Sequence, residues 1–457
     1  MNFLKLLFEL YKAKRKTEMS VERMGKLQQK RLRKILHYAY CHSRYYREKF
    51  NESGIGPQNI DTVPLDRFPS LDKKELMENF DSLVTVSDLT QKELRRFDEY
   101  EKKDRRPFRS KYHIVHSSGS TGKPGYFVYD KRAWNTMLVG IIRAALWDMS
   151  IMQILKLLAE KPRIAYIAAT DGRYGGAMAV GDGIEGVGAG QLCLDVKSPL
   201  SEWISSLRKF NPNMIIGYPS AVKILGGLVE RGEIRLGIKR IVTCGEPLGA
   251  GLRRYLERTF DTKVVNFYGA SESLAIGVEN DTEEGMLLFD DMNVIEVRDG
   301  NMYLTSLYNF TQPLIRYRLT DKMTLEKPGG ECPFTRAVGL LGRNEDILWF
   351  EDSAGKRDFL HPLAVEGICI EGLVDYQFVQ YENDYFEMHA QISASDALKY
   401  EIKDELIKRL KFVLDEKKLN FVRFEVRFTD AIFPDPLTGK KRLIVSMKRS
   451  ENTREAV

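Results

Sequence analysis

The segment His116-Ser117-Ser118-Gly119-Ser120-Thr121-Gly122-Lys123-Pro124-Gly125 gathers small hydroxylated residues, glycines and one lysine between the apolar pair Ile114-Val115 and the strand-like Tyr126-Phe127-Val128-Tyr129. In such a loop successive backbone N–H groups can converge on an anion while the lysine adds a mobile positive charge, so a phosphate cradle is one reading. A solvated turn is the other, and composition alone favours it. A Walker A loop is excluded, because only two residues separate Gly119 from Gly122 and Pro124 follows Lys123 where a Ser or Thr is needed. The residues beyond the loop alternate like a strand, so a hairpin loop folding over a polyphosphate fits better than a helix N-terminus beneath one.

Further chemistry-bearing segments follow in order. Phe267-Tyr268-Gly269-Ala270-Ser271-Glu272-Ser273 closes a predicted strand on a carboxylate, and Thr311-Gln312-Pro313-Leu314-Ile315-Arg316-Tyr317-Arg318-Leu319-Thr320-Asp321 ends on another. Leu341-Gly342-Arg343-Asn344-Glu345-Asp346 and Leu437-Thr438-Gly439-Lys440-Lys441-Arg442 add cations in predicted loops. Taken singly, Glu272 reads as a solvent-facing acid, Asp321 as a turn cap and Lys440 as part of a solvated basic run. Arg316 and Arg318 fit either ligand contacts or sheet-surface charges. His113 and His116 have H-x-x-H spacing, but on a strand their rings face opposite sides, which removes a metal site. No Ser-His-Asp or thiol-His pairing has supporting context, so hydrolase chemistry is not favoured.

The elements that must position these groups change character along the chain. The opening 110 residues read as helices, with Leu27, Arg31, Leu32, Ile35, Leu36 and Ala39 at three and four spacing and a capped start at Leu71-Asp72-Lys73-Lys74-Glu75-Leu76. From residue 112 short apolar runs alternate with helical segments: Ile164 to Ile167, Met214 to Ile216, Arg240 to Val242 and Val264 to Tyr268. That alternation implies an α/β sheet with ligands at its strand ends. Val294 to Leu304 reads as a hairpin about Asp299-Gly300, within a β-rich module over 285–319. After Gly342 come strands Ile347 to Phe350 and Phe378 to Tyr381, an alternating run Glu387 to Ile392, a helix through Ile402 to Leu414 and a final strand Phe424 to Phe428. The fold class expected is α/β and α+β multidomain, a large N-terminal domain of α/β sheets plus a β-rich subdomain followed by a small C-terminal α+β domain.

Composition sets the outer bounds. The 457 residues exceed the length at which one core stops growing, and 43% apolar with 29% charged residues is globular, not disordered. Lys and Arg number 70 against 64 acids, a net charge of +6 too thinly spread for a nucleic-acid binder. Cys41, Cys193, Cys244, Cys332 and Cys369 are odd in number and far apart, which suggests neither a disulfide framework nor a thiolate zinc site and points to a reducing, cytoplasmic setting. No apolar run is long enough to cross a bilayer. Phe3 to Tyr11 is broken by Lys5 and Glu9 and followed by Lys12, Lys14, Arg15 and Lys16, the reverse of a secretory signal's charge order. It is expected to pack on the protein's own body, with contact to an anionic membrane surface as the alternative.

Taken together and in this order, the motifs resemble the adenylate-forming superfamily of acyl-CoA synthetases, and most closely its phenylacetate-CoA ligase and CapK-like branch. The resemblance runs over nearly the whole chain, including Leu36-His37-Tyr38-Ala39-Tyr40 and Gly245-Glu246-Pro247. It implies attack of a carboxylate on the α-phosphorus of ATP to give acyl-AMP and pyrophosphate, then attack of the coenzyme A thiol on the acyl carbon. It also implies roles. Ser117, Ser118, Gly119, Ser120, Thr121, Gly122 and Lys123 would cover the β and γ phosphates, and Glu272 would help hold Mg2+. Gly245, Glu246, Pro247 and Tyr268 would border the adenine, with Gly269 also at the nucleotide, Asp321 would take the ribose hydroxyls and Arg343 would lie near the ribose or α-phosphate. Lys440 would sit between the attacking carboxylate and the α-phosphate. The domains expected are 1–342, a hinge at 343–346 centred on Glu345, and a mobile 347–457. The stretch from Ala168 to Gly190 departs from the phenylacetate pattern, which leaves the acid open, with Tyr174, Tyr218 and Ala270 as either pocket walls or packing. Transfer to an amine, a sugar or a carrier protein, in surface-polysaccharide or natural-product synthesis, is the competing outcome. A membrane-peripheral binding protein without turnover is a third. The resemblance leaves oligomerisation open.

Overall fold

Periodicity in the first hundred residues becomes helices α1 (Phe3–Arg15), α2 (Val21–His42), α3 (Arg44–Glu52), α4 (Lys73–Glu78), α5 (Phe80–Leu83) and α6 (Gln91–Tyr100) in the computed structural model. The structure describes residues 3–100, 106–116, 125–169, 178–179, 181, 189–246, 248–279, 285–298, 301–319, 321–328, 332–341, 347–360, 362–365, 368, 370, 372–393, 396–432 and 443–447. Helix α2 opens where the Ser20 side chain accepts the Arg23 N–H, and it buries Met24, Leu32, Ile35, Leu36 and Ala39, the stripe set by three and four spacing. Helix α4 opens on the Asp72 carboxylate, which accepts the Glu75 N–H. The Tyr46 hydroxyl donates to the Pro313 carbonyl at 2.9 Å and accepts the Ile315 N–H at 3.1 Å. These two bonds tie the helices to the segment leading toward Asp321.

The chain forms two compact units. In the larger, a hairpin of β1 (Tyr112–His116) and β2 (Tyr126–Asp130) is followed by α7 (Lys131–Ala145) and α8 (Ile151–Ala159). A nine-stranded sheet then forms from β3 (Arg163–Ala168), β4 (Gly190–Asp195), β5 (Met214–Gly217), β6 (Arg240–Cys244), β7 (Val264–Ala270), β8 (Ser273–Glu279), β9 (Met286–Leu288), β13 (Lys322–Glu326) and β14 (Arg336–Leu341). Its spatial order is β13-β14-β9-β8-β7-β6-β5-β3-β4. Strands β3, β5, β6 and β7 run parallel to one another, whereas β8 returns antiparallel to β7. Parallel strands buried on both faces need continuous apolar runs, which is how Ile164 to Ile167 and Arg240 to Val242 read in the sequence.

Helix α7 lies close against β8. A Cβ built on Gly140 would come within 2.7 Å of Met292 Sδ and 2.8 Å of Ala275 Cβ. Gly140→Ala is therefore expected to cost about 1–3 kcal/mol through overpacking, a loss measurable by thermal denaturation.

A three-stranded sheet of β10 (Asn293–Arg298), β11 (Asn301–Ser306) and β12 (Tyr317–Leu319) follows, with Arg298 opposite Asn301 as a two-residue turn requires. Leu71 pairs with Tyr317 as an isolated bridge, so the residues entering α4 lie along β12.

The smaller unit holds Leu194–Phe210 together with the described residues from 347 onward. It contains β15 (Leu348–Glu351) paired with β16 (Arg357–Leu360), and a four-stranded sheet ordered β19-β18-β17-β20. These strands are β17 (Leu373–Gln380), β18 (Tyr385–Ile392), β19 (Arg423–Thr429) and β20 (Ile444–Ser446). Helix Asp396–Glu416 covers the sheet with Ile402, Leu406, Leu410 and Leu414. One expectation is corrected: the strand ending near Phe428 is not the last, because Ile444–Ser446 pairs parallel with β17. Three residues are too few to show a period. Lys417 is buried, donating to the Val196 carbonyl at 3.1 Å and facing Asp358 at 3.5 Å. Burial pulls its pKa down to about 8.

Candidate active site

The carboxyl ends of three neighbouring parallel strands carry the candidate residues. Strand β5 runs into Tyr218, β6 into Gly245 and Glu246, and β7 into Ser271 and Glu272. Ends of parallel strands expose backbone and loop groups that the sheet itself does not consume, which makes them the usual place for a ligand.

Ala270 pairs with Ser273, so Ser271 and Glu272 form a two-residue turn between β7 and β8. Turn glutamates are ordinarily solvated, yet Glu272 is 9% exposed. Burial pushes its carboxyl up to about 7; hydrogen bonds from its own backbone N–H and the Tyr317 hydroxyl oppose the rise, the Asp321 charge adds to it and Lys73 partly offsets it. The Tyr268 hydroxyl donates to Asp321 Oδ2 at 2.9 Å. Tyr268 and Tyr317 are both held well above the usual phenol range, by burial first and by these carboxylates next, so both act as neutral donors.

The root of the glycine-serine hairpin reaches the same place. Ser271 Oγ donates to the His116 carbonyl at 3.3 Å, and the Ser271 carbonyl accepts the Tyr129 hydroxyl at 2.7 Å. Strand β2 is held by Gln312, whose Oε1 accepts the Val128 N–H at 2.7 Å and whose Nε2 donates to the Tyr126 carbonyl at 3.0 Å. Asn309 Nδ2 adds a bond to the Val128 carbonyl at 2.9 Å. These amides are buried because they replace a missing neighbouring strand.

At the end of β6, Gly245 has φ +80°, and a Cβ there would meet the Tyr218 ring at 2.7 Å. Only glycine allows both the left-handed backbone and the close ring. Glu246 accepts from the Ser220 N–H at 3.0 Å and the Ser220 hydroxyl at 2.8 Å, satisfying the first turn of helix Pro219–Glu230. Below these strand ends lies a cavity of about 160 Å³ walled by Ile141, Tyr166, Tyr218, Val242, Phe267 and Leu274, among others. Among the described residues its lining carries no charged side chain. Cys244 also borders it, its thiol pushed up to about 12 by burial and so unreactive.

Of the residues singled out from the sequence, Tyr268, Glu272 and Asp321 come together. Gly245 and Gly269 line the cavity, with Tyr218 and Ala270 in its wall. Glu246 is committed to Ser220. Ser117, Ser118, Gly119, Ser120, Thr121, Gly122, Lys123, Tyr174, Pro247, Arg343, Glu345 and Lys440 lie outside the described residues. Arg316 is structural, with φ +48° and bonds to the Asp66 and Phe68 carbonyls and to Glu296, while Arg318 pairs with Asp72 at the surface. His113 stacks on Trp134 with ring centroids 4.3 Å apart, and burial holds it down to about 4. Sequence reasoning missed Tyr317, Lys73 and Tyr129. Lys73 had one signal: a lysine in the first turn of α4 opposes the helix dipole and so invites another explanation.

No family model matches the chain. It is 26% identical to phenylacetate-coenzyme A ligase of Pseudomonas putida over 82% of this chain and 83% of that protein. It is 23% identical to protein CapK of Staphylococcus aureus over 92% of this chain and 88% of that one. A solved structure of 2-hydroxyisobutyryl-CoA ligase with 2-HIB-AMP and CoA, in the thioesterification state, superposes with a TM-score of 0.61 at 20% identity, covering 95% of this chain and 92% of the other. The fold is that of adenylate-forming ligases, and the resemblance read from the motifs is borne out.

Proposed function

We propose that this protein joins a small apolar carboxylic acid to coenzyme A at the expense of ATP, through an acyl-adenylate. The observation that carries the reading is the convergence of Glu272, Asp321 and Tyr268 at the end of β7, beside the root of the glycine-serine hairpin and over an apolar cavity. Asp321, oriented by Tyr268, accepts the ribose hydroxyls. The hairpin Ser117 to Lys123 offers N–H groups and one cation to the polyphosphate. Arg343 adds positive charge near the ribose or α-phosphate, and Lys440 neutralises the carboxylate as it attacks the α-phosphorus.

Glu272 fits a hard divalent cation. It is a buried oxygen donor whose charge is disfavoured until a cation arrives, and Mg2+ needs only one or two carboxylates when phosphates supply its other ligands. Bound there, Mg2+ would neutralise phosphate charge. The protein's own contribution is to hold Glu272 in place through Tyr317 and to keep water from it.

The cavity limits the acid. At about 160 Å³ it compares with the roughly 150 Å³ apolar cavity that accepts benzene, so one ring or a short branched chain fits. The architecture carried forward is 1–342, a hinge at 343–346 about Glu345 that realigns the site between half-reactions, and 347–457. Reaction in the cytoplasm agrees with the unpaired Cys41, Cys193 and Cys244.

Pyrophosphate release across a panel of acids, with and without CoA, tests the reading. Phenyl-substituted and short branched acids are expected to turn over, with long-chain acids slower by about 100-fold or more, and thioester is expected to form only with CoA. Acyl-AMP that forms but passes to an amine, sugar or carrier protein would move the acceptor away from CoA, and silence across the panel would remove the activity altogether.

A further inference from the structure

Helix α1 has three faces. Leu6, Leu10 and Ala13 are buried, with Leu10 in the same apolar cluster as Ile154 and Leu157 of α8. Lys5, Glu9, Lys12 and Lys16, spaced along a second face, line a cleft of about 690 Å³. On the third face Leu4, Phe8 and Tyr11 are 76%, 57% and 48% exposed. Helix α8 repeats this division, spending Ile154 and Leu157 inward and leaving Ile151, Met152 and Leu155 in solvent. Of the thirteen large apolar side chains exposed among the described residues, six lie on these two helices. Scattered exposed apolar groups need no explanation, but a concentration on adjoining helices does.

The cleft beside the exposed apolar face of α1 is strongly cationic. Arg31, Lys131, Arg132 and Arg143 join Lys5 and Lys12 of α1 and Lys16 just beyond it, making seven cations against two carboxylates. Both carboxylates are engaged: Asp291 with Arg143 at 2.9 Å and Lys16 at 2.8 Å, Glu9 with Lys12 at 3.1 Å. Lys131 and Arg132 are exposed in the first turn of α7, just after Asp130, whose carboxylate caps that turn by accepting the Ala133 N–H at 2.7 Å. An anion there would meet the exposed Lys131 and Arg132 side chains.

From these two features we infer that this face docks on an anionic lipid bilayer, with Leu4, Phe8, Tyr11, Met152 and Leu155 entering the headgroup boundary and the cleft receiving a lipid phosphate. A second copy of the chain is a poorer occupant. A two-fold dimer would set one cationic cleft toward the other, in a chain already at +6. Apolar insertion combined with basic residues at the rim is the pattern of an interfacial helix, with no span implied. Among the described residues no helix is long and apolar enough to cross a membrane. The inference is independent of the reaction proposed above.

Co-sedimentation of the full-length protein with vesicles of phosphatidylglycerol and phosphatidylcholine, against phosphatidylcholine alone, tests it. Expected is binding to the anionic vesicles at least about tenfold tighter than to the neutral ones, weakening with salt. Phe8→Ser with Met152→Ser should weaken binding by about tenfold or more, Phe8→Leu should preserve it, and Lys131→Ala with Arg132→Ala should cost roughly tenfold and flatten the salt dependence. Unchanged melting temperatures would show that the variants are folded. Absence of binding at low salt, equal binding to both vesicles or indifference to these substitutions in folded protein would overturn the inference. So would a dimer abolished by Phe8→Ser with Met152→Ser in a protein that ignores vesicles.

Discussion

Glu272→Gln is expected to stabilise the unliganded protein above pH 7 while lowering Mg2+-dependent pyrophosphate release by about 100- to 1,000-fold. The two effects share one cause. A carboxyl whose folded-state value is raised from 4.5 to about 7 keeps its proton in the native state where the unfolded chain has lost it. Native stability therefore falls as pH rises through that window and stays reduced above it, by on the order of 3 kcal/mol if the whole shift is realised. Glutamine can still accept from Tyr317 but carries no charge to desolvate. The melting-temperature difference between variant and wild type should thus open between pH 4.5 and 7 and remain constant beyond. Addition of Mg2+ and ATP should reverse the order, because a cation favours the ionised form, and binding near pH 6 should release a proton in wild type only. A gap that does not widen with pH would mean that Glu272 is solvated, and retained activity in the variant would remove it from the site.

How much of this was legible before folding depended on the range of the interaction. Strands β5, β6 and β7 announced themselves as the short apolar runs Met214 to Ile216, Arg240 to Val242 and Val264 to Tyr268, because parallel strands buried on both faces leave no other pattern. The hairpin across 293–306 was legible from the Asp299-Gly300 pair in the sequence, and Arg298 lies opposite Asn301. Glu272 was named, but its burial was not foreseeable locally, since the groups that enclose it come from elsewhere: Tyr317 from the three-stranded sheet, Lys73 from the start of α4 and Tyr129 from β2. Leu71 pairs with Tyr317 through backbone bonds, which no side-chain pattern records. Arg316 illustrates the converse. Its place in a motif suggested a ligand contact or a surface charge, whereas its guanidinium satisfies two carbonyls and Glu296 in the interior. The amphipathic α1 was read as packing on its own body, with membrane contact as the alternative; one of its faces is buried, one is apolar and exposed, and one lines the cationic cleft.

Lys440→Ala should slow adenylation by about 100- to 1,000-fold while changing nucleotide affinity by less than about fivefold. Two anions must meet for the first half-reaction, a carboxylate and a triphosphate, and the charge that builds between them exists only in the transition state. A cation held there contributes to the rate far more than to binding, so its loss should appear in kcat at saturating ATP and scarcely in the Kd of the nucleotide. Lys440 lies outside the described residues, within the basic run Lys440-Lys441-Arg442. That run supplies its own control. If the three cations act only as a solvated positive patch, Lys440→Ala, Lys441→Ala and Arg442→Ala should weaken nucleotide binding alike and modestly, with an effect that salt screens. If Lys440 meets the reacting atoms, it alone should carry a large rate loss, insensitive to salt and not restored by higher ATP. Equal effects at all three positions would take the lysine out of the mechanism and leave the proposed charge stabilisation to the hairpin, Arg343 and any cation that Glu272 would hold.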